Sequence, residues 1–142
     1  MTAPYASELT RLYAEIERLA VAADVQEVCP RPENRQQEDR CWIVEGPRGC
    51  FTEYYMERGQ ASVVVEGSYD EVLFHVMRSA AQDKATLIEV RQRIKGEDTR
   101  RQWYAIQREI MARMKAEWSQ TLADHQAKVL AQHPFRDDND LA

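Results

Sequence analysis

Residues 41–66 hold two glycine-bearing reversals in one short block: CWIVE, then GPRG, then CFTEYYME, then RG, then QASVVVE. The three runs are rich in the β-branched and aromatic side chains that suit a pleated, half-buried surface. Gly46-Pro47-Arg48-Gly49 is a strong turn signal, because proline presets φ and glycine accepts conformations closed to other residues. Glu57-Arg58-Gly59 makes the second reversal, with Gly59 taking a positive φ at little steric cost. The block reads as three antiparallel strands over 41–66. With helical periodicity on both sides, it predicts an α+β fold: a small three-stranded antiparallel sheet packed against an N-terminal helix and a C-terminal set of two to three helices, the last one long.

In residues 5–23, Tyr5, Leu9, Leu12, Ile16, Leu19 and Ala23 recur at three- and four-residue steps and form one apolar stripe. Glu8, Arg11, Glu15 and Arg18 fall on a solvated face. Residues 24–40, DVQEVCPRPENRQQEDR, read as a loop that is long for a compact domain. Ser68-Tyr69-Asp70-Glu71 has the pattern of a capping box, with Ser68 and Glu71 satisfying amide donors reciprocally. The helix it opens is expected over 69–95, with Val72, Leu73, Val76, Met77 and Ala80 on one stripe. Ser79–Asp83 is a candidate interruption, after which Leu87, Ile88, Arg91 and Ile94 continue. Gly96 suits the position just past a helix end, and Asp98 or Thr99 can cap the next helix. From 99 to 132, Trp103, Ile106, Ile110, Met114, Trp118, Leu122, His125 and Val129 keep a helical period, a span of roughly 50 Å if unbroken. Pro134 stops it, and the tail, 133–142, ends in polar residues. The 142 residues are the size of a single domain.

Register decides which strand residues share a face. A two- or four-residue second loop puts Thr52, Tyr54 and Met56 on a core face with Ala61, Val63 and Val65. Phe51, Glu53, Tyr55, Ser62, Val64 and Glu66 then form an acidic, aromatic outer face. A three-residue loop would instead place Phe51, Glu53 and Tyr55 beside Ala61, Val63 and Val65 and bury Glu53. The even loop separates polar from apolar more cleanly and is preferred.

Net charge is −5 with both signs interspersed, which disfavours nucleic acid or anionic lipid as a direct ligand and suits a cytoplasmic protein. No apolar run is long enough for a membrane span, and the N-terminal residues lack the pattern of a secretory signal. Cys29, Cys41 and Cys50 are odd in number and read as reduced thiols. They form no Cys-x-x-Cys pair, and His75, His125 and His133 form no i, i+4 pair, so no metal or other cofactor is expected. No nucleophile-elbow or phosphate-loop motif is present, and carboxylates at Asp70 and Glu71 would repel phosphate from the Gly67-Ser68 helix start. An enzyme is not the preferred reading.

Four features admit two readings each. Glu57 and Arg58 could touch a partner or could tie the hairpin down by ion pairing with Arg100 or Arg101, and the structural role is preferred. Asp98, Arg100 and Arg101 are a dense charge cluster at a helix start, where capping and a charge network outrank binding. Trp103, Tyr104 and Trp118 fit core packing better than a cofactor site, and His75 and His125 fit satisfied core residues better than ligands.

Taken in order, Glu57-Arg58-Gly59, Tyr69-Asp-Glu-Val-Leu-Phe74, Asp98-Thr-Arg-Arg101 with Trp103 and Gln107, Trp118, and Leu130-Ala-Gln-His-Pro-Phe-Arg-Asp137 resemble the immunity protein 63 family. The resemblance runs from about Trp42 to Asp137. It implies a small cytoplasmic bacterial antidote that neutralises a cognate polymorphic toxin by forming a tight complex, with no chemistry of its own. A nuclease is one reading of that toxin. The outer sheet face supplies the candidate contacts Phe51, Glu53, Tyr55 and Glu66, the nearby turn supplies Arg48, and the acidic tail supplies Asp137 and Asp138. The chain is expected to be a monomer or weak dimer. The alternative is a non-catalytic adaptor or regulatory module that dimerises through the long last helix.

Overall fold

Residues 7–138, described by a computed structural model, form four α-helices and one three-stranded antiparallel sheet. In chain order these are α1 (Glu8–Ala23), β1 (Cys41–Glu45), β2 (Phe51–Glu57), β3 (Gln60–Gly67), α2 (Tyr69–Arg91), α3 (Arg100–Met114) and α4 (Ala116–Gln132). The expected α+β architecture is present. Tyr5, placed at the start of the first helix, lies outside the described residues. The 24–40 loop contains two single turns of 3-10 helix, Gln26–Val28 and Pro32–Asn34. The chain divides into two compact units. One holds the chain up to Val21 with Gln26–Met77, and the other holds Ala22–Val25 with the chain from Arg78 onward.

In the first unit the strand order is β1-β2-β3, a simple meander. The β2–β3 reversal has two central residues, Arg58 and Gly59, with φ of 53° and 76°, and Glu57 pairs with Gln60. Positive φ at both positions matches the right-handed twist of the strands. The even loop is therefore present, and next to it Met56 pairs with Ala61 and Tyr54 with Val63. A β-bulge then intervenes between Glu53 and Tyr54, beyond which Glu53 pairs with Val65 and Phe51 with Gly67. One extra residue in β3 reverses the parity of every side chain after it.

This corrects the expected division of faces. Phe51 is 1% exposed and Glu53 5%, so they lie on the covered side of the sheet, while Val63, assigned to the core, is 58% exposed. The cover comes from α1 and the start of α2. The Tyr69 ring meets Phe51 edge-on at 5.9 Å, and Tyr69 Oη donates to Glu15 on α1 at 2.7 Å. Leu12, Ile16, Leu19, Leu73 and Met77 are each at most 2% exposed. Burying such a side chain is worth about 1.5–3 kcal/mol relative to leaving it in water. The capping box forms as expected: Ser68 N–H donates to Glu71 Oε1 at 3.3 Å, and Glu71 N–H donates to Ser68 Oγ at 3.2 Å.

In the second unit α2 runs without interruption through Ser79–Asp83, where Ala80 and Ala81 are good helix formers and are buried. It ends at Arg91, short of 95. Leu87 and Ile94 are about half exposed. The buried residue of this turn is Glu89, 2% exposed, held by Arg93 Nε at 2.9 Å and Nη2 at 3.2 Å.

The helix expected over 99–132 is two helices. Lys115, at φ −145° and ψ 129°, breaks it with neither proline nor glycine. The buried positions Tyr104, Gln107, Ile110, Met111 and Met114 and then Trp118, Leu122 and Gln126 stay in phase across the break. An apolar period looks the same for one straight helix as for two that fold back on each other. The fold-back is held by buried amides. Gln126 Nε2 donates to Tyr104 O at 3.2 Å and to Gln107 Oε1 at 3.0 Å, while Arg108 Nη1 donates to Gln126 Oε1 at 2.6 Å. Gln107 Nε2 donates to Arg78 O at 3.1 Å. Replacing Gln126 by leucine should lower the unfolding free energy by about 2–3 kcal/mol, because buried groups lose their partners. Urea denaturation of the two proteins measures this, and equal midpoints would refute it.

Candidate binding surface

The structure does not bring the expected contact residues together. Glu53 faces inward, with Oε1 3.9 Å from His75 Nδ1 on α2. Burial pushes its carboxyl up to about 7, against a smaller downward pull from a hydrogen bond with Cys41. Phe51 is sealed beneath Tyr69. Tyr55 shares their face but sits at its half-buried end, its hydroxyl donating to Asp39 Oδ1 at 3.1 Å. Glu66 lies on the opposite face because of the bulge, and its Oε2 accepts from the Thr52 hydroxyl at 3.1 Å. Arg48 is exposed in the β1–β2 turn at φ 60°. An acidic, aromatic outer patch built on Phe51 and Glu53 is therefore ruled out.

The tail is also not the free acidic surface expected of Asp137. Arg100 donates to the backbone oxygens of His133 and Pro134, both at 2.8 Å, and its Nη2 pairs with Asp98 Oδ2 at 2.8 Å. Asp98 Oδ2 accepts from Arg136 N–H, and Asp98 N–H donates to Asp137 Oδ1, again at 2.8 Å. Arg101 Nε pairs with Asp137 at 3.1 Å, and the Phe135 ring lies 4.3 Å from its guanidinium carbon. The result is a latch that fastens residues 133–137 to the start of α3. Asp98 also accepts from Arg100 N–H at 3.0 Å, so it contributes to the helix start as expected. Its carboxyl is held well below the usual range, chiefly by the Arg100 guanidinium; Arg101 lowers Asp137 in the same way. Asp138 is exposed, and its N–H donates to Gly96 O at 3.0 Å.

Arg100 and Arg101 are thus engaged by Asp98 and Asp137, whereas the Glu57-Arg58 turn is held by a residue the sequence reading passed over. The Glu38 carboxylate accepts the N–H of Arg58 on one oxygen and that of Gly59 on the other, the latter at 3.1 Å. Glu57 and Arg58 themselves are exposed. The hairpin is anchored through its backbone, so the expected tie through these two side chains is replaced.

The two edges of the sheet differ. At β1, Ile43 N–H donates to Tyr13 Oη at 2.7 Å, Tyr13 Oη lies 3.2 Å from Ile43 O, and Asn34 Nδ2 donates to Cys41 O at 3.2 Å. Side chains therefore occupy the edge groups of that strand. Burial raises the Tyr13 hydroxyl above its ordinary pKa. β3 carries no such capping among the described residues, and Gln60–Val64 are exposed throughout.

Elsewhere, His125 is exposed rather than buried, with Nε2 3.4 Å from Arg78 Nη1. Cys29 is buried, Cys41 and Cys50 are half-buried, and none of the three is in a disulfide. Among the described residues no group of three His, Cys, Asp or Glu side chains could hold a metal ion, and no helix is long and apolar enough to cross a membrane. A cleft of about 360 Å³ beside the 24–40 loop is lined by both signs of charge, including Glu27, Arg31, Glu33 and Arg40.

No curated protein and no solved structure matches the chain. The family model described as Immunity protein 63 matches residues 49–128, from the β1–β2 turn to within α4. The match takes in β2, β3, α2 and α3 but excludes β1, α1 and the latched tail. It covers more than half of the 142 residues, and the chain belongs to the immunity protein 63 family.

Proposed function

We propose that this protein binds a cognate bacterial toxin in a stoichiometric complex and neutralises it by covering it, without bond-making chemistry of its own. Membership of the immunity protein 63 family is the observation that carries this reading. The net charge of −5 supports a partner with a basic surface, which fits a toxin whose cleft binds nucleic acid. The protein acts in the cytoplasm of the producing cell, where such a toxin would strike. The adaptor alternative loses its proposed arm, because α3 and α4 pack against each other instead of extending as one helix.

Co-expression with the toxin domain encoded beside it should restore growth, and the purified pair should run as a complex with one copy of each by sedimentation velocity. Undiminished killing, with no complex at micromolar concentration, would overturn the reading.

A further inference from the structure

We infer that the free edge of β3 receives an extended, net-basic segment of the toxin as a fourth strand of the sheet. The inference rests on the neutralising role proposed above and names where the contact is made.

Backbone geometry carries it first. Met56 turns its own N–H and C=O away from β3, donating to Arg40 O at 3.1 Å and accepting from Asp39 N–H at 2.9 Å. Its partner Ala61 is therefore in a pair not bonded across β2–β3, and its N–H and C=O point outward from the sheet. Such a row of unpaired donors and acceptors is a template for another strand.

A protein that must keep an edge unpaired normally blunts it with lysine, proline or side-chain caps. Here β1 is capped by Tyr13 and Asn34, whereas β3, QASVVVEG, has no lysine or proline and exposes Val63 at 58% and Val64 at 42%. Val63 stands opposite Tyr54, which stacks on Trp42 at 5.7 Å. A docked strand would therefore extend an existing apolar ladder.

Charge selects the occupant. The exposed carboxylates Glu57, Glu66, Asp70 and Glu71, in β3 or close to it in sequence, outnumber the exposed cations Arg58 and Arg48 of the two turns. A basic segment is attracted to this edge, whereas a second copy would bring the same acidic surplus against itself.

Two variants test the edge. Ala61→Pro removes one outward N–H without touching the β2 ladder, and Val63→Lys places a like charge against a basic strand. Both should keep the wild-type circular dichroism and melting temperature. Both should weaken binding of the neighbouring toxin domain at least 30-fold in titration calorimetry, and wild-type Ala61 should gain amide-exchange protection in the complex. A toxin that binds both folded variants within threefold of wild type overturns the edge assignment and leaves neutralisation standing. A toxin that does not bind wild type at all overturns both. A wild-type mass that doubles in sedimentation, and returns to monomer in Val63→Lys, overturns the assignment in favour of self-pairing.

Discussion

Replacing Asp98 by alanine should lower the unfolding free energy by about 3 kcal/mol, the usual cost of breaking a largely buried, hydrogen-bonded ion pair. The Asp98 side chain is 11% exposed and that of Arg100 22%. Its loss strips Arg100 of its counter-charge and frees the amide of Arg136, while Asp98→Asn keeps the size but loses the charge and should fall between. For a chain of this size the shift corresponds to a melting temperature lower by roughly 10 °C. The pH dependence has a definite sign. Asp98 is depressed from its ordinary 3.8, so the folded state holds fewer protons in the acid range. Its contribution is complete above that value and is lost as pH falls toward the folded one. The wild type and Asp98→Ala should therefore differ fully at pH 7 and draw together progressively as pH falls below about 4. Equal stability at pH 7 would show that the tail is held by something other than the latch.

Glu53→Gln is expected to stabilise the protein, and increasingly so as pH rises. The Glu53 carboxyl is lifted from 4.5 to about 7 by burial. Between those values the folded chain keeps a proton that the unfolded chain has released, so wild-type stability falls with rising pH across this window. A shift of that size is worth about 3 kcal/mol once pH exceeds the folded value. Glutamine carries no ionisable proton and can still accept the bond from Cys41. Its stability relative to wild type should be near zero at pH 4.5 and greatest at pH 8, as read from urea midpoints across that range. Parallel curves for the two proteins would mean that Glu53 titrates as an ordinary surface carboxyl.

Local chemistry was legible in the chain. The Ser68–Glu71 box, the two-residue reversal at Arg58-Gly59 and the apolar stripe of α1 each depend on residues a few positions apart, and each forms. The larger departures have no mark in a local window. The bulge beside Tyr54 inserts one residue into an otherwise regular alternation, and that single insertion carried Glu66 to one face and left Phe51 and Glu53 on the other. At Lys115 no proline or glycine marks the break, and the apolar period continues through it. The contacts of Gln126 with Tyr104 and Gln107 span about twenty residues, so no local window contains them. The same holds for the latch, where Asp98 and Arg100 meet residues more than thirty positions away.

By itself, the amino-acid order determined the α+β class, the meander, the starts of α2 and α3 and the family, because short-range backbone preferences and the ordered set of motifs are written along the chain. Only the tertiary structure decided which sheet face is covered, that the last helix doubles back, that residues 133–138 are fastened down, and that Gln60–Val64 of β3 are exposed while Phe51 and Glu53 are not. Those outcomes depend on which distant groups meet and exclude water, and side chains at i and i+36 leave no periodic trace of their meeting.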